Sequence, residues 1–183
     1  MASLKGHLLV ASPHLADPNF EKAVVLLIHH SEDGTFGVVL NRPGEGTIKE
    51  LWDDLGEAPC DTDQRIHLGG PVSGPLMAVH TDELLSELEI VPGLYFAAQR
   101  GNIEELLSQG GDNFRLFVGH SGWGGGQLEG ELEEGSWLTA PATIDYVFAD
   151  ETELWKTVAR DIGKGILSSV LKIKNIPEDP TVN

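Results

Sequence analysis

The sequence predicts an α+β fold: a single domain with a β-rich, barrel-like mixed or antiparallel sheet flanked by short helices. The chain has 183 residues, the length of one ordinary domain, and its 40% apolar and 22% charged content is typical of a globular protein. Strand and helix patterns follow one another without the regular alternation of a doubly wound fold. We therefore expect one domain over residues 1–175 and a polar C-terminal tail at 176–183.

The clearest strand signals are two apolar runs, AVVLLIHH at 23–30 and TFGVVLN at 35–41. Continuous runs of this length, rich in β-branched residues, are typical of strands that are buried on both faces. The intervening SEDG contains a turn glycine, so the two runs are predicted to form a hairpin. Further short strands are predicted at 7–11, 75–80, 94–98, 114–118, 136–140 and 145–148.

Helices are predicted where apolar residues recur every three or four positions. The best example is 47–56, where Thr47 and Glu50 have the spacing of a capping box and Gly56 is placed to end the helix. Further helices are predicted at 81–88, at 102–109 with Asn102 as the N-cap, at 151–162 with Gly163 as the stop, and, shorter, around Leu128 and Leu132.

Composition limits the compartment and the partners. Twelve Lys and Arg stand against 29 Asp and Glu, a net charge of −17. Because proteins bind DNA non-specifically by neutralising phosphates with basic side chains, direct nucleic-acid binding by this chain is disfavoured. Cys60 is the single cysteine, which fits a reducing compartment. The first residues lack the long apolar run of a signal peptide or a membrane span, so we expect a soluble cytoplasmic protein.

The most distinctive segment is FVGHSGWGGGQLEGEL, residues 117–132. Gly119, His120, Ser121 and Gly122 begin like the nucleophile elbow of a hydrolase, but Trp123 occupies the position of the closing glycine. His120 is also the last histidine of the chain, so no base follows the serine. Serine catalysis is therefore disfavoured, and no catalytic residue is assigned.

Two interpretations of this segment remain open. Its backbone N–H groups could cradle an anion, since a glycine-rich loop opening a helix can do so without basic side chains. Alternatively, the glycines only supply a permissive backbone at a tight turn into a short helix, which is their commonest use. No lysine followed by Ser or Thr comes after the glycines, so the segment is not a P-loop.

Two other turns, LNRPG at 40–44 and LGGPVSGP at 68–75, could contribute to such a site. Arg42, in LNRPG, could orient a carboxylate or phosphate, or it could form a salt bridge that fixes the turn.

Seven histidines show no metal-ligand spacing, so we expect neither a metal nor a cofactor. The candidate ligand-binding residues are Asn41, Arg42, Gly69, Gly70, Gly119, Ser121, Gly122, Trp123, Gly124 and Gln127.

Three motifs, taken together, resemble the AlgH/YqgE family in order and spacing over roughly residues 6–163. They are ASPHLADPNFEKAVVLLIHHSEDGTFGVVLNRP, GGPV and GHSGWGGGQLEGEL. The resemblance implies a single α+β domain with a barrel-like centre, and the family label proposes a role in transcriptional regulation. It supplies no catalytic residues. The positions of His120 and Ser121 are commonly Tyr and Ala in this family, which further disfavours a serine nucleophile.

These observations favour a binding or regulatory module that acts through an unknown protein or small-molecule partner. The alternative is an enzyme or a binder of anionic metabolites that uses the Gly119–Gln127 loop. Direct DNA binding is a third possibility that depends on the family label alone, because the net charge opposes it.

Overall fold

Ten strands form one curled, half-barrel sheet in the computed structural model, which describes residues 2–55, 60 and 62–174. The strand order is β10-β1-β2-β3-β9-β6-β8-β7, and β5 joins β4 to the side of β9. Pairing is antiparallel except between β5 and β9, which are parallel. The strands are β1 (His7–Ala11), β2 (Val24–Ser31), β3 (Gly34–Val39), β4 (Pro43–Thr47), β5 (Arg65–Leu68), β6 (Val72–His80), β7 (Leu88–Val91), β8 (Leu94–Ala97), β9 (Phe114–Gly124) and β10 (Trp137–Pro141).

Helices cover both faces of this sheet. They are α1 (Ile48–Asp54), α2 (Arg100–Gln109), α3 (Gln127–Glu133), α4 (Ile144–Val147) and α5 (Leu154–Lys174). Val24 and Leu26 of β2 share a core cluster with residues of α4 and α5, whereas Val25 lies in a cluster with Leu128 of α3. β2 is therefore buried on both faces, as its continuous apolar run predicts, and the α+β fold with a barrel-like sheet is confirmed.

Two predictions that depend on residues close together in the sequence, a hairpin and a capping box, are confirmed. Ser31 pairs with Gly34 across the predicted β2–β3 hairpin. The capping box of α1 is present: the Glu50 N–H donates to Thr47 Oγ1 over 3.2 Å, and the Thr47 N–H donates to Glu50 Oε2 over 2.9 Å. Its predicted stop, Gly56, lies outside the described residues, as does the predicted tail at 176–183.

Three helix and strand predictions are wrong. The expected helix at 81–88 is only a 3₁₀ turn, Glu83–Leu85, because Leu84 is 92% exposed and gives the segment no apolar face to bury. The expected strand at 145–148 is helix α4, whose N-cap Thr143 accepts the Tyr146 N–H. Helix α5 continues past Gly163, since a glycine inside a helix costs only about 1 kcal/mol relative to alanine.

The predicted N-cap of α2 is also wrong, because a distant carboxylate caps this helix. Helix α2 begins at Arg100, so Asn102 lies inside its first turn. Glu87 accepts the backbone N–H groups of Ala98 and Gln99 and the side-chain amide of Asn102. Burial of Glu87 raises its pKa, but these hydrogen bonds outweigh burial and lower the pKa below its ordinary value.

Candidate ligand-binding site

The glycine-rich segment is mainly a strand and not the tight turn that the sequence suggested. β9 continues to Gly124, and only residues 125 and 126 turn into α3. Ser121 and Trp123 point into the core, while Gly122 and Gly124 lie on the exposed face of the strand. Gly119 has a φ of +74° beside the register shift between β6 and β9, so a positive-φ residue is needed at this one strand position.

The predicted turns come together as packed backbone. The Gly69 carbonyl accepts the Val39 N–H and, over 3.1 Å, the hydroxyl of Ser121, which is 0% exposed. A Cβ placed on Gly69 would lie 2.2 Å from the Gly119 carbonyl oxygen, and one on Gly70 would lie 2.3 Å from Ser121 Oγ. Close backbone approach therefore explains both glycines, and the Ser121 hydroxyl is held inside the protein.

Asn41 and Arg42 have different roles at the end of β3. Asn41 Oδ1 accepts the Val24 N–H over 2.9 Å, and its Nδ2 donates to the Lys22 carbonyl over 2.8 Å. The Arg42 guanidinium makes one long hydrogen bond of 3.5 Å, to the Pro18 carbonyl, and forms no salt bridge with the residues that the structure describes. The amide of Asn41 thus fixes the turn, whereas Arg42 remains open to solvent.

Trp123 and Gln127 anchor α3 to the sheet through Glu131. The indole N–H groups of Trp123 and Trp137 both donate to Glu131 Oε2, over 2.9 and 2.8 Å. Gln127 donates to the other oxygen of Glu131 and accepts the Gly124 N–H. The polar groups of these two candidates are therefore engaged with the protein itself.

A polar cavity of ≈ 390 Å³ lies at another part of the molecule, between β5, β9 and the segment before α5. None of its lining residues is among the candidates predicted from the sequence. They are Gln64, Arg65, His67, Asp112, Phe114, Arg115, Phe148 and Glu151. A volume of this size falls within the range of small-molecule sites, about 300–1,000 Å³.

A buried ion pair occupies this cavity wall. The Arg115 side chain is 11% exposed, and its Nη1 donates to Glu151 Oε2 over 3.2 Å and to His67 Nε2 over 3.2 Å. Its Nη2 donates to the Ala149 carbonyl. Burial lowers the pKa of Arg115, and the Glu151 carboxylate opposes that effect. The guanidinium is thus compensated by a carboxylate and a carbonyl, as a buried charge requires.

The contact with Arg115 determines the protonation of His67, which is 5% exposed. His67 Nε2 lies 3.2 Å from Arg115 Nη1 and 3.5 Å from Glu151 Oε2. Because a guanidinium only donates hydrogen bonds, the shorter contact favours a lone pair on Nε2 and the ring proton on Nδ1. Burial lowers the pKa of His67, and the positive charge of Arg115 lowers it further, while Glu151 opposes both. His67 is therefore a neutral imidazole at pH 7.

The Nδ1–H of this imidazole is the unusual feature of the cavity. Within the described ranges it is buried and makes no hydrogen bond of good geometry, although the Arg65 backbone lies close enough to the ring to raise the pKa of His67 by hydrogen bonding. Native proteins satisfy about 90% or more of their buried polar groups, so a poorly satisfied donor on a residue that lines a cavity makes that cavity a candidate site for a bound water or ligand.

Two further charged groups complete the site. Arg65 is exposed at the rim and forms no ion pair in the part of the chain that the structure describes, so its guanidinium can contact a ligand. Asp112 and Glu151 supply acceptors on the same wall. The cavity thus offers donors for an anionic oxygen and acceptors for a hydroxyl or amine.

Among residues 2–55, 60 and 62–174, no three His, Cys, Asp or Glu side chains are grouped to hold a metal ion. Over the same ranges, no helix combines the length and the apolar composition that crossing a membrane requires.

Comparison with known proteins gives the family. Residues 8–166 match the AlgH-like family model. A UPF0301 protein of Chlorobaculum tepidum is 37% identical over 97% of this chain and 95% of its own length. A UPF0301 protein of Streptomyces coelicolor is 40% identical over 100% of this chain and 97% of its own. The chain belongs to the AlgH-like family, which confirms the resemblance.

Two solved structures share the fold. The solution structure of the AlgH protein from Pseudomonas aeruginosa superposes with a TM-score of 0.73 at 32% identity, covering 86% of this chain and 87% of that one. The crystal structure of a Corynebacterium diphtheriae protein gives a TM-score of 0.72 at 30% identity, covering 88% and 87%. The single α+β domain expected from the sequence is thus shared with these proteins.

Proposed function

We propose that this chain is a regulatory binding module that holds a small organic anion in the cavity lined by His67, Arg115 and Arg65. The observation that carries the proposal is the buried, unpaired Nδ1–H of His67, which Arg115 orients by taking up the opposite ring nitrogen. A carboxylate or phosphate oxygen would satisfy this donor and gain a charge-assisted contact from Arg65.

The acceptors on the same wall narrow the ligand class. Glu151 and Asp112 would repel a ligand that presents only anionic oxygens, but they would accept hydrogen bonds from a hydroxyl or amino group. A small carboxylate that also carries a hydroxyl or an amine would pair with both the donors and the acceptors that line the cavity. The net charge of −17 would repel an anion at long range. Affinity would therefore come from short-range contacts with the groups that line the cavity, which include two arginines.

The same geometry favours binding over acid–base catalysis. A general base needs a free lone pair within reach of the substrate, and the Nε2 lone pair of His67 is occupied by Arg115. An effect on transcription would then pass through the ligand or a protein partner, because the net charge opposes direct contact with DNA. A cytoplasmic location is part of the proposal and is supported by the single cysteine, Cys60, which rules out a disulfide within the chain.

The test is a thermal-shift and calorimetric screen of hydroxy- and amino-carboxylates, phosphorylated metabolites and inorganic phosphate. A ligand at 100 times its Kd adds about 2.7 kcal/mol, which corresponds to roughly 5–10 °C for a domain of this size. Arg65→Ala should abolish the shift without unfolding the protein, because the Arg65 side chain is exposed and forms no ion pair with the described residues.

Arg42→Ala is the matched control, since it removes an exposed arginine outside the cavity. It should leave the shift unchanged. If Arg42→Ala abolishes binding and Arg65→Ala does not, the ligand lies at the turns of Asn41, Arg42 and the Gly119–Gln127 segment, whose binding role stays a prediction until this comparison is made.

A further inference from the structure

The last three turns of α5 expose an apolar surface that the other residues described by the structure leave uncovered. Every residue from 163 to 172 is exposed, including Ile166, Leu167, Val170 and Leu171, and Leu167 reaches 63%. Short helices are marginal in water without tertiary packing of an apolar face. Exposed apolar patches often mark interaction sites, so this end of α5 is a candidate surface for a partner.

The uncovered face borders a groove. A cavity of ≈ 630 Å³ lies between α5 and the edge formed by β10 and α4. One wall contains Ala140 and Tyr146, and the other is the helix face that carries Ile166, Ser169 and Val170. The groove is mostly apolar, and an additional helix could pack between the two walls.

When two copies of α5 lie antiparallel, their side chains can be complementary in size. If two copies of α5 pack antiparallel about a two-fold axis between Leu167 and Ser168, Ile166 of each copy meets Ser169 of the other. In the same register, Gly165 meets Val170. Ile166 and Val170, the two large groove residues nearest the axis, thus each face a small side chain, which is the self-complementarity that a two-fold interface requires.

The charges agree with the same pairing. The chain has a net charge of −17, but residues 162–174 contain Lys164, Lys172 and Lys174 and no acidic residue. In the antiparallel register Lys172 of one copy lies within a helical turn of Asp161 of the other. Asp161 lines the groove and its side chain is 39% exposed. Two strongly acidic molecules can meet here without bringing acidic residues together.

We infer that the occupant of this groove is a second copy of the chain, with the two α5 helices packed antiparallel. The interface is independent of the cavity at His67 and Arg115, because no residue lines both. An anionic membrane is the alternative occupant of a basic, apolar helix, but the net charge of the whole molecule opposes approach to such a surface.

The test is the molecular mass of the full-length protein by sedimentation velocity over a dilution series. We expect twice the mass of the chain at high concentration, with dissociation on dilution. Ile166→Ser and Ser169→Ile should each weaken the dimer by about tenfold or more, the scale of a well-packed interface residue. The double variant Ile166→Ser/Ser169→Ile exchanges the large and small partners and should restore most of the affinity.

Leu84→Ser is the control, because it removes an exposed apolar side chain that does not line the groove. It should not change the dissociation constant, and circular dichroism should show that all variants keep their helix content. A monomer at every concentration would overturn the inference, as would a double variant no tighter than the single ones. Monomeric protein that co-sediments with phosphatidylglycerol vesicles would assign the face to a membrane and would equally overturn it.

Discussion

The Arg115 guanidinium and the His67 imidazole share a hydrogen bond of 3.2 Å, and this contact determines what the imidazole can do. It occupies Nε2 and favours the ring proton on Nδ1, while burial first and the positive charge of Arg115 second lower the pKa of His67. The two residues lie 48 positions apart in the sequence and meet because β5 runs parallel to β9. The site is thus a product of the sheet topology.

Removing the arginine should destabilise the fold. Arg115→Met leaves Glu151 without its cationic partner, and since Glu151 is 26% exposed the cost should stay below the roughly 3 kcal/mol of a fully buried ion pair. Urea unfolding measures the loss. Because Glu151→Gln removes the unpaired charge, the double variant Arg115→Met/Glu151→Gln should recover part of that stability. No recovery would mean that the arginine stabilises by packing alone.

Stability should fall as the pH is lowered through the range in which free histidine titrates. The folded-state pKa of His67 lies below its ordinary value of 6.5, so the unfolded chain binds the extra proton first. The free energy of unfolding should therefore decrease from about pH 6.5 downward until the lowered folded-state pKa is reached. His67→Asn should reduce this slope, as measured by chemical unfolding at a series of pH values.

His80 provides the comparison for that experiment. It is 0% exposed, and burial lowers its pKa although Asp82 and Glu87 oppose the effect. His80→Asn should remove a separate part of the same slope. If neither variant changes the pH dependence of the free energy of unfolding, the assigned neutral states are incorrect.

Two of the candidate ligand-binding glycines, Gly69 and Gly124, should differ in how far substitution destabilises the protein. Gly69→Ala places a Cβ 2.2 Å from a backbone oxygen and should cost about 1–3 kcal/mol. Gly124→Ala meets only the end of the Gln127 side chain, at 4.0 Å, and should change stability by less than about 0.5 kcal/mol. Equal effects in thermal unfolding would contradict the close contact at Gly69.

Glu131 should be required for the anchoring of α3. Glu131→Ala leaves the indole N–H groups of Trp123 and Trp137 without their acceptor, and an unsatisfied buried donor costs about 1–3 kcal/mol. Glu131→Gln keeps an acceptor oxygen and should cost less. Denaturant unfolding ranks the two variants, and tryptophan emission should shift to longer wavelength in Glu131→Ala if water reaches the indoles.

The sequence predicts those parts of the fold whose interactions are local. The capping box of Thr47 and Glu50 spans one helical turn, and the hairpin of β2 and β3 closes over two residues, so neither depends on distant contacts. The segment 145–148 is too short for the spacing of its apolar residues to distinguish a strand from a helix. The N-cap at Thr143 favours the helix that the structure contains.

The remaining features depend on contacts between distant residues. Glu87 caps a helix that begins thirteen positions later, and a glycine run becomes a strand because it pairs with β3 and β6. One signal for the cavity was present: Arg115 lies between Phe114 and Leu116, and His67 lies between Ile66 and Leu68, so each is an ionisable residue flanked by apolar neighbours in a strand. A polar residue at such a position must find a partner once the sheet forms, but the sequence does not say which.

The most direct measurement is a long-range ¹⁵N–¹H spectrum of the histidine side chains, with His67 assigned by comparison with His67→Asn. A neutral ring protonated at Nδ1, whose Nδ1–H signal shifts when a hydroxy- or amino-carboxylate is added, is the predicted result. A ring protonated at Nε2, or an Nδ1–H signal that no compound of the panel moves, would contradict the assignment of this cavity as the ligand-binding site.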